Sequence, residues 1–344
     1  MSILAKPLEF KGQTSEYFGI WLSNLLLTIV TLGIYSAWAK VRRKQYFYSN
    51  TYLENAGFGY HATGIQILKG RLLVLSGFIL LNLLATFLPA VYGLVGFAFF
   101  FLGPFLINLS LQFNARVTSY RNVRFHFEGD YWEAFLAYIV MPFLSIITLG
   151  LLAPVAVRFL LNYVWSRISY GGYSIDTNLS LTDFYKLFGI SVILPVTGLF
   201  ILAMVLLSLS FISPDSAFSE NYAVASFAPF LFGFYLYIFF VGFVYRIFCM
   251  TLLFKGIAIE GAIRFSNTIH PGRLLFILIT NFLAIIFSLG LLIPWAQIRQ
   301  HRYITENVAT HASTDFDEFV TDAVEKQSAF GEEFADFDGV DLGL

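Results

Sequence analysis

Seven apolar runs dominate the chain, at roughly 18–38, 72–90, 92–113, 134–157, 187–212, 227–253 and 274–296. Each is about the 20 residues that a helix needs to cross a hydrocarbon layer. Runs of this length leave little freedom: such a segment is buried in a large core or faces lipid. Charge decides between the two. Only 12% of the 344 residues are Asp, Glu, Lys or Arg, and 58% are hydrophobic, 40 of them Phe. A water-soluble domain carries about 25% charged residues, so most of this surface must face lipid. The first run ends in Ala37-Trp38-Ala39, which imitates a signal-peptidase site. The acids Glu9 and Glu16 upstream and the bases Lys40, Arg42, Arg43 and Lys44 downstream argue that it is retained.

One local device recurs. TLGIYSAWAKVRRKQYFYSN (Thr31–Asn50) returns without a gap as SLGLLIPWAQIRQHRYITEN (Ser288–Asn307). A worn copy, Thr148–Arg167, keeps Leu149, Gly150, Ala156 and Tyr163 but has Val155 for the Trp and Phe159 for the Arg. Upstream, Phe10-Lys11-Gly12, Glu16 and Phe18 match Phe127-Glu128-Gly129, Glu133 and Phe135 at the same offset, and Arg124-Phe125 is matched by Arg264-Phe265. The repeats run in parallel. They divide the chain into 1–130, 131–270, a partial third repeat at 271–310 and an acidic tail at 311–344.

Basic residues set the expected topology. The connections at Pro89–Gly93 and SPDSAFSENYA carry no Lys or Arg, so both read as external. The segments 114–133 and 158–186 then share the inner side although an apolar run separates them, and Gly150 with Pro154 marks where that run can turn back. The expectation is an all-α, polytopic membrane helix bundle with four full spans and three Gly/Pro-broken helical hairpins; the alternative is seven spans. In the first plan Arg246 is the one base within a span, and the N-terminus, the 39–71 loop and the tail are cytoplasmic.

Trp38, Arg42, Tyr46 and Asn50, and likewise Trp295, Arg299, Tyr303 and Asn307, are spaced by four, which makes one stripe on a helix. Trp and Tyr favour the headgroup level, and an arginine between them can stack on a ring and still offer its fork to a phosphate. Two readings stay open: an interfacial anchor, or a site for an anionic lipid headgroup or small acidic solute. Arg246, within FVYRIFCM, is a third candidate, because an ion inside an apolar run usually faces protein or water; snorkelling to the interface is the simpler account. Asn82, Asn108 and Asn281 are expected to bond between helices.

No chemistry-bearing motif appears: no P-loop, GxSxG or HExxH. His126, Glu128 and Asp130 alternate as on a short strand, without a second group to complete a metal site. Cys249 reads as a small buried hydrophobe. The expectation is a non-enzyme without cofactor or metal, whose partners are membrane lipids rather than nucleic acid. The tail, with ten acids and one lysine from His311 onward, reads as disordered or as an amphipathic helix docking on basic loops, or recruiting a cytoplasmic protein.

The TLGIYSAWAKVRRKQYFYSNTYL stretch, the FKGQTSEYF lead-in and the DGVDLGL ending resemble the YjgN-like family of bacterial inner-membrane proteins. That resemblance implies a multi-pass protein of the cytoplasmic membrane without an established function. Two function classes follow: a protein that binds or transports a lipid or small acidic solute between its repeats, or a non-transporting membrane scaffold or regulator working through the acidic tail.

Overall fold

The computed structural model describes residues 5–87, 89–191, 241–260, 263–312 and 316–334. Most of the runs expected at 187–212 and 227–253, the SPDSAFSENYA connection and the last ten residues of the tail lie outside them.

The all-α expectation is overturned. Segments read as loops between spans form eleven short strands: β1 (Ala5–Pro7), β2 (Glu9–Phe10), β3 (Thr51–Leu53), β4 (Ala56–Tyr60), β5 (Thr118–Tyr120), β6 (Val123–Phe127), β7 (Ile168–Tyr170), β8 (Tyr173–Thr177), β9 (Ile257–Ile259), β10 (Ile263–Asn267) and β11 (Val308–Ala312). They make one antiparallel sheet in which β2 to β11 pair in chain order and β1 pairs with β11. The two ends of the sheet, β1 and β2, are separated by Leu8 alone. Leu8 N donates to Val308 O (3.0 Å) and Lys11 N to Asn50 O (2.9 Å), so one extended segment bridges both ends and rolls the sheet into a nearly closed barrel. Closure removes the open edges that would otherwise invite pairing with other chains.

Turn chemistry explains the strands. Glu54-Asn55, Arg121-Asn122 and Gly171-Gly172 each join two strands, and all six residues have positive φ, between 46° and 82°. That is the type I′ hairpin, whose twist suits two strands joined by two residues and which favours Asn and Gly. The registers Leu53↔Ala56, Tyr120↔Val123 and Tyr170↔Tyr173 follow.

Helical pairs connect the β-hairpins. Thr14–Val30 turns back as Ser36–Ser49, Gly64–Phe87 is followed by Pro89–Arg116, Tyr131–Ile147 by Ala153–Ser166, and Pro271–Phe287 by Ile293–Glu306. Among the described residues only Gly64–Leu84 is long and apolar enough to cross a membrane, so neither four spans nor seven is seen there. The apolar helices Tyr131–Ile147 and Pro271–Phe287 are shorter. The recurring Thr/Ser-Leu-Gly makes the same turn three times. Leu32, Leu149 and Leu289 have φ of 50°, 51° and 50°, and Gly33, Gly150 and Gly290 have 93°, 89° and 91°. Each glycine N–H returns to the carbonyl five residues back, Thr28, Ser145 or Ile285, at 2.7–2.8 Å. This is a Schellman cap with leucine, not glycine, at its first left-handed position.

Two compact units emerge: Met1–Leu179 with Phe254–Leu344, which contains the barrel, and Ser180–Leu253. Within the second, Phe188 and Tyr245 meet edge to face at 5.6 Å, and Phe184 and Cys249 are buried.

A basic cavity at the third helical hairpin

Each copy of the repeated stretch puts its tyrosine in the same place. Tyr46 accepts from Gln13 N (2.8 Å), with Gln13 O at 2.9 Å; Tyr303 accepts from His270 N (3.1 Å) and donates to His270 O (3.3 Å). In the worn copy Tyr163 lies 2.5 Å from Asn108 Oδ1 and 3.1 Å from Asp130 O. Gln13, Asp130 and His270 are the residues just before the first helix of each pair. The phenol therefore ties the end of each helical pair to its beginning, and in the first and last copies it serves the Gln13 or His270 N–H, which has no helical partner. Asn50 and Asn307 close the same helices, Nδ2 donating to Tyr46 O (2.8 Å) and Tyr303 O (2.7 Å). At the matching position Arg167 instead forms a two-pronged pair with Glu133, at 2.6 and 3.1 Å.

The arginines join the two legs of their hairpins. Arg42 Nη1 donates to Asn24 Oδ1 (3.1 Å), Tyr35 Oη (3.2 Å) and Ser23 Oγ (3.4 Å). Arg299 Nη1 donates to Thr280 Oγ1 (2.7 Å) and Asn281 Oδ1 (3.0 Å), with its guanidinium 5.1 Å from the Trp295 ring. Asn281, buried, passes the link on to Ala296 O at 2.9 Å. Trp38 is used differently. It packs on Gly64, where a Cβ would come within 2.4 Å of the indole.

Trp295, Arg299 and Tyr303 line a cavity of about 370 Å³ with Arg273, Arg302 and Glu306. Three arginines thus line one space with one glutamate, Glu306, which lies 3.9 Å from Arg302. Arg302 also donates to Gly12 O (2.8 Å), and Arg273 lies 5.6 Å over the Tyr303 ring. A second basic cavity, about 330 Å³, is lined by Lys40, Arg43 and Arg71 beside Trp21 and Asn24. Burial and then the Arg71 and Arg43 charges lower the Lys40 pKa. Sequence reasoning missed Arg273 and Arg302. Arg302 follows Arg299 by one helical turn, and Arg273 stands where the other copies have Glu16 and Glu133, so both signals were present. Asn50 and Asn307 are not among the cavity's lining residues. Arg246 belongs to the other unit and is exposed on its helix beside buried Tyr245 and Ile247.

Several known proteins are similar. A protein named "Inner membrane protein YjgN" from Salmonella typhimurium is 37% identical over 147 residues, covering 41% of this chain and 36% of that protein. The protein of the same name from Escherichia coli K12 is 25% identical over 217 residues, covering 53% and 54%. The matches therefore span between about a third and a half of these relatives' length. No solved structure matches the chain. The profile described as "Bacterial protein of unknown function (DUF898)" matches residues 5–337, so the chain belongs to that family, which is YjgN-like.

Proposed function

We propose that this is an inner-membrane protein that holds an anionic lipid headgroup, or a small acidic solute of the same chemistry, in the cavity of the 271–306 helical pair. The observation that carries the reading is the set of Arg273, Arg299 and Arg302 around one space with Trp295 and Tyr303. Its depth supports a headgroup. The turn leucine Leu289 is 94% exposed and flanked by exposed Phe287 and Leu291, and Leu32 and Leu149 are equally exposed. Apolar tips of this kind mark contact with lipid. At 1.5 Å per residue Arg302 lies about 14 Å along its helix from Ile293, close to the half-thickness of a hydrocarbon core of about 30 Å. A tip at the bilayer centre would put Arg302 near the headgroup boundary, with Arg299 about 5 Å deeper along the same helix. The relatives' names support the compartment.

The test is lipid retention by the purified chain, measured by native mass spectrometry after mixing with phosphatidylglycerol and phosphatidylcholine. Retention of phosphatidylglycerol at least fivefold over phosphatidylcholine is expected. It should be lost in the Arg273→Gln/Arg302→Gln variant, and inorganic phosphate should compete if the natural occupant is a free solute. Equal retention in wild type and variant would sink the proposal.

A regulatory role is the second reading, favoured by the tail helix Phe316–Phe334. It buries Phe316, Phe319, Val320 and Ala323 and carries the exposed acids Glu318, Glu325 and Asp317, the last of which pairs with Arg121.

A further inference from the structure

The barrel holds a third cavity, of about 370 Å³, wholly within the first unit and separate from the arginines. Leu53, Phe125, Phe127, Ile168, Ile175 and Phe265 represent its walls, drawn from strands all round the sheet, and among the described residues no charged one lines it. Five of the polar side chains in the wall are already engaged. Tyr120 Oη donates to Leu53 O (2.7 Å), Tyr170 Oη to Tyr120 O (3.0 Å), Thr118 Oγ1 to Asn114 O (2.8 Å) and Thr310 Oγ1 to Lys6 O (3.3 Å). Asn114 donates to Ser110 O (2.6 Å) and accepts from Lys44 Nζ (2.7 Å). The interior therefore presents hydrocarbon, with little to hold water. An apolar cavity of roughly 150 Å³ stays dry and takes up benzene, and this one is more than twice that size. Small closed barrels hold one small ligand in this way.

One mouth is covered by the tail helix. Phe316 and Phe319 line the cavity, and their rings lie 6.0 Å from those of Tyr120 and Tyr170 respectively. The cover is tied down at two β-turns: Arg121 pairs with Asp317 and lies 5.2 Å over Phe316, and Tyr173 bonds Asp322 beside Lys326, 3.9 Å over its ring. Ala323 packs so closely on Gly171 that a Cβ there would come within 2.5 Å. With Arg124 N donating to Gln327 Oε1 (3.2 Å), these are few polar ties around an apolar plug, an arrangement that can open without unfolding the barrel.

We infer that the barrel binds a single hydrocarbon chain, as carried by a fatty acid or a one-tailed lipid, and that the Phe316–Phe334 helix is its lid. This does not depend on the arginine cavity. The test is displacement of 1-N-phenylnaphthylamine fluorescence from the purified full chain, by palmitate in one arm and lysophosphatidylcholine in the other. The arm that displaces identifies the source of the chain. Ala115→Phe, which places a ring into the lining, should weaken probe binding at least tenfold while raising the unfolding temperature; Thr118→Phe is the second filling variant, should the first not fold. Phe316→Ala/Phe319→Ala should speed probe release at least tenfold. Absence of probe binding to wild type, or equal binding in a folded filled variant, would overturn the ligand site. Unchanged release from the double alanine variant would overturn the lid.

Discussion

Lowering the pH should destabilise the chain through one buried histidine. His301 sits where the 14–49 and 271–306 helical pairs meet, its ring edge-on to Phe10 (4.7 Å) and Phe47 (4.9 Å). Its Nε2 lies 3.0 Å from Thr51 Oγ1, and that hydroxyl spends its single hydrogen on Phe47 O (2.8 Å). Thr51 can then only accept, so the imidazole donates from Nε2, and in the neutral ring Nδ1 carries no hydrogen. Burial pushes the His301 pKa down to about 4, from an ordinary 6.5. Because the folded value is the lower one, the unfolded chain binds the proton first. The destabilisation therefore begins as pH falls through about 6.5 and is complete below about 4. At 1.36 kcal/mol per pKa unit the whole window amounts to about 3 kcal/mol. The measurement is urea unfolding of the detergent-solubilised chain between pH 7.5 and 4, for wild type and His301→Phe. His126, which burial also shifts down, contributes to both curves and cancels in their difference. The difference should close by about 3 kcal/mol as the pH falls; parallel curves would falsify the assignment.

Tyr163→Phe should cost about 2 kcal/mol, since it strands Asn108 Oδ1 beside a phenol only 3% exposed. Tyr46→Phe, at a half-exposed site, should cost less than half as much in the same unfolding assay. Gly64→Ala should cost about 1–3 kcal/mol by driving a methyl against Trp38, whereas Gly77→Ala, with open space around its Cα, should be neutral or better. Replacing Leu32, Leu149 and Leu289 by Gly should stabilise the solubilised chain by about 1 kcal/mol each by relieving left-handed strain. It should at the same time weaken flotation with vesicles, and equal flotation would remove the tips from the membrane reading.

The helical hairpins were legible because their signal is local. Thr-Leu-Gly followed by a polar stripe at a spacing of four fixes a cap, a turn and a helix face without reference to the rest of the chain. The tail was legible only in part: its acids and phenylalanines left disorder and an amphipathic helix open, and the structure forms the helix with 316, 319, 320 and 323 buried. The barrel was not, because β3, β5, β7 and β9 are three residues long, too short for alternation to stand out between long apolar helices. Glu54-Asn55, Arg121-Asn122 and Gly171-Gly172 were hairpin signals read as loop polarity. The alternation of His126, Glu128 and Asp130 was noticed, but its strand was not extended to a sheet. The bases used to assign membrane sides, Arg121 and Arg124 among them, belong to barrel hairpins rather than to plain loops between spans.

The worn middle copy separates what the fold needs from what a site needs. At the positions of Asn24, Trp38 and Arg42, and of Asn281, Trp295 and Arg299, it carries Met141, Val155 and Phe159. The polar link between the hairpin legs has been exchanged as a set for apolar residues. Yet Leu149 and Gly150 keep the same dihedral angles as the other two turns, and Tyr163 keeps the same tie to the start of its helical pair. The Trp–Arg–Asn set is therefore dispensable for making the hairpin, and its retention in two copies needs another explanation. Transplanting the middle set into the third pair, as Asn281→Met, Trp295→Val and Arg299→Phe together, tests this. Replacing both partners of a polar link by apolar groups avoids the penalty of stranding one of them, so the triple variant should unfold within about 1 kcal/mol of wild type while losing phosphatidylglycerol retention. Arg299→Phe alone leaves Asn281 buried with one partner fewer and should be the less stable protein. A triple variant that fails to fold, or that folds and still retains the lipid, would return Trp295 and Arg299 to the role of structural anchors.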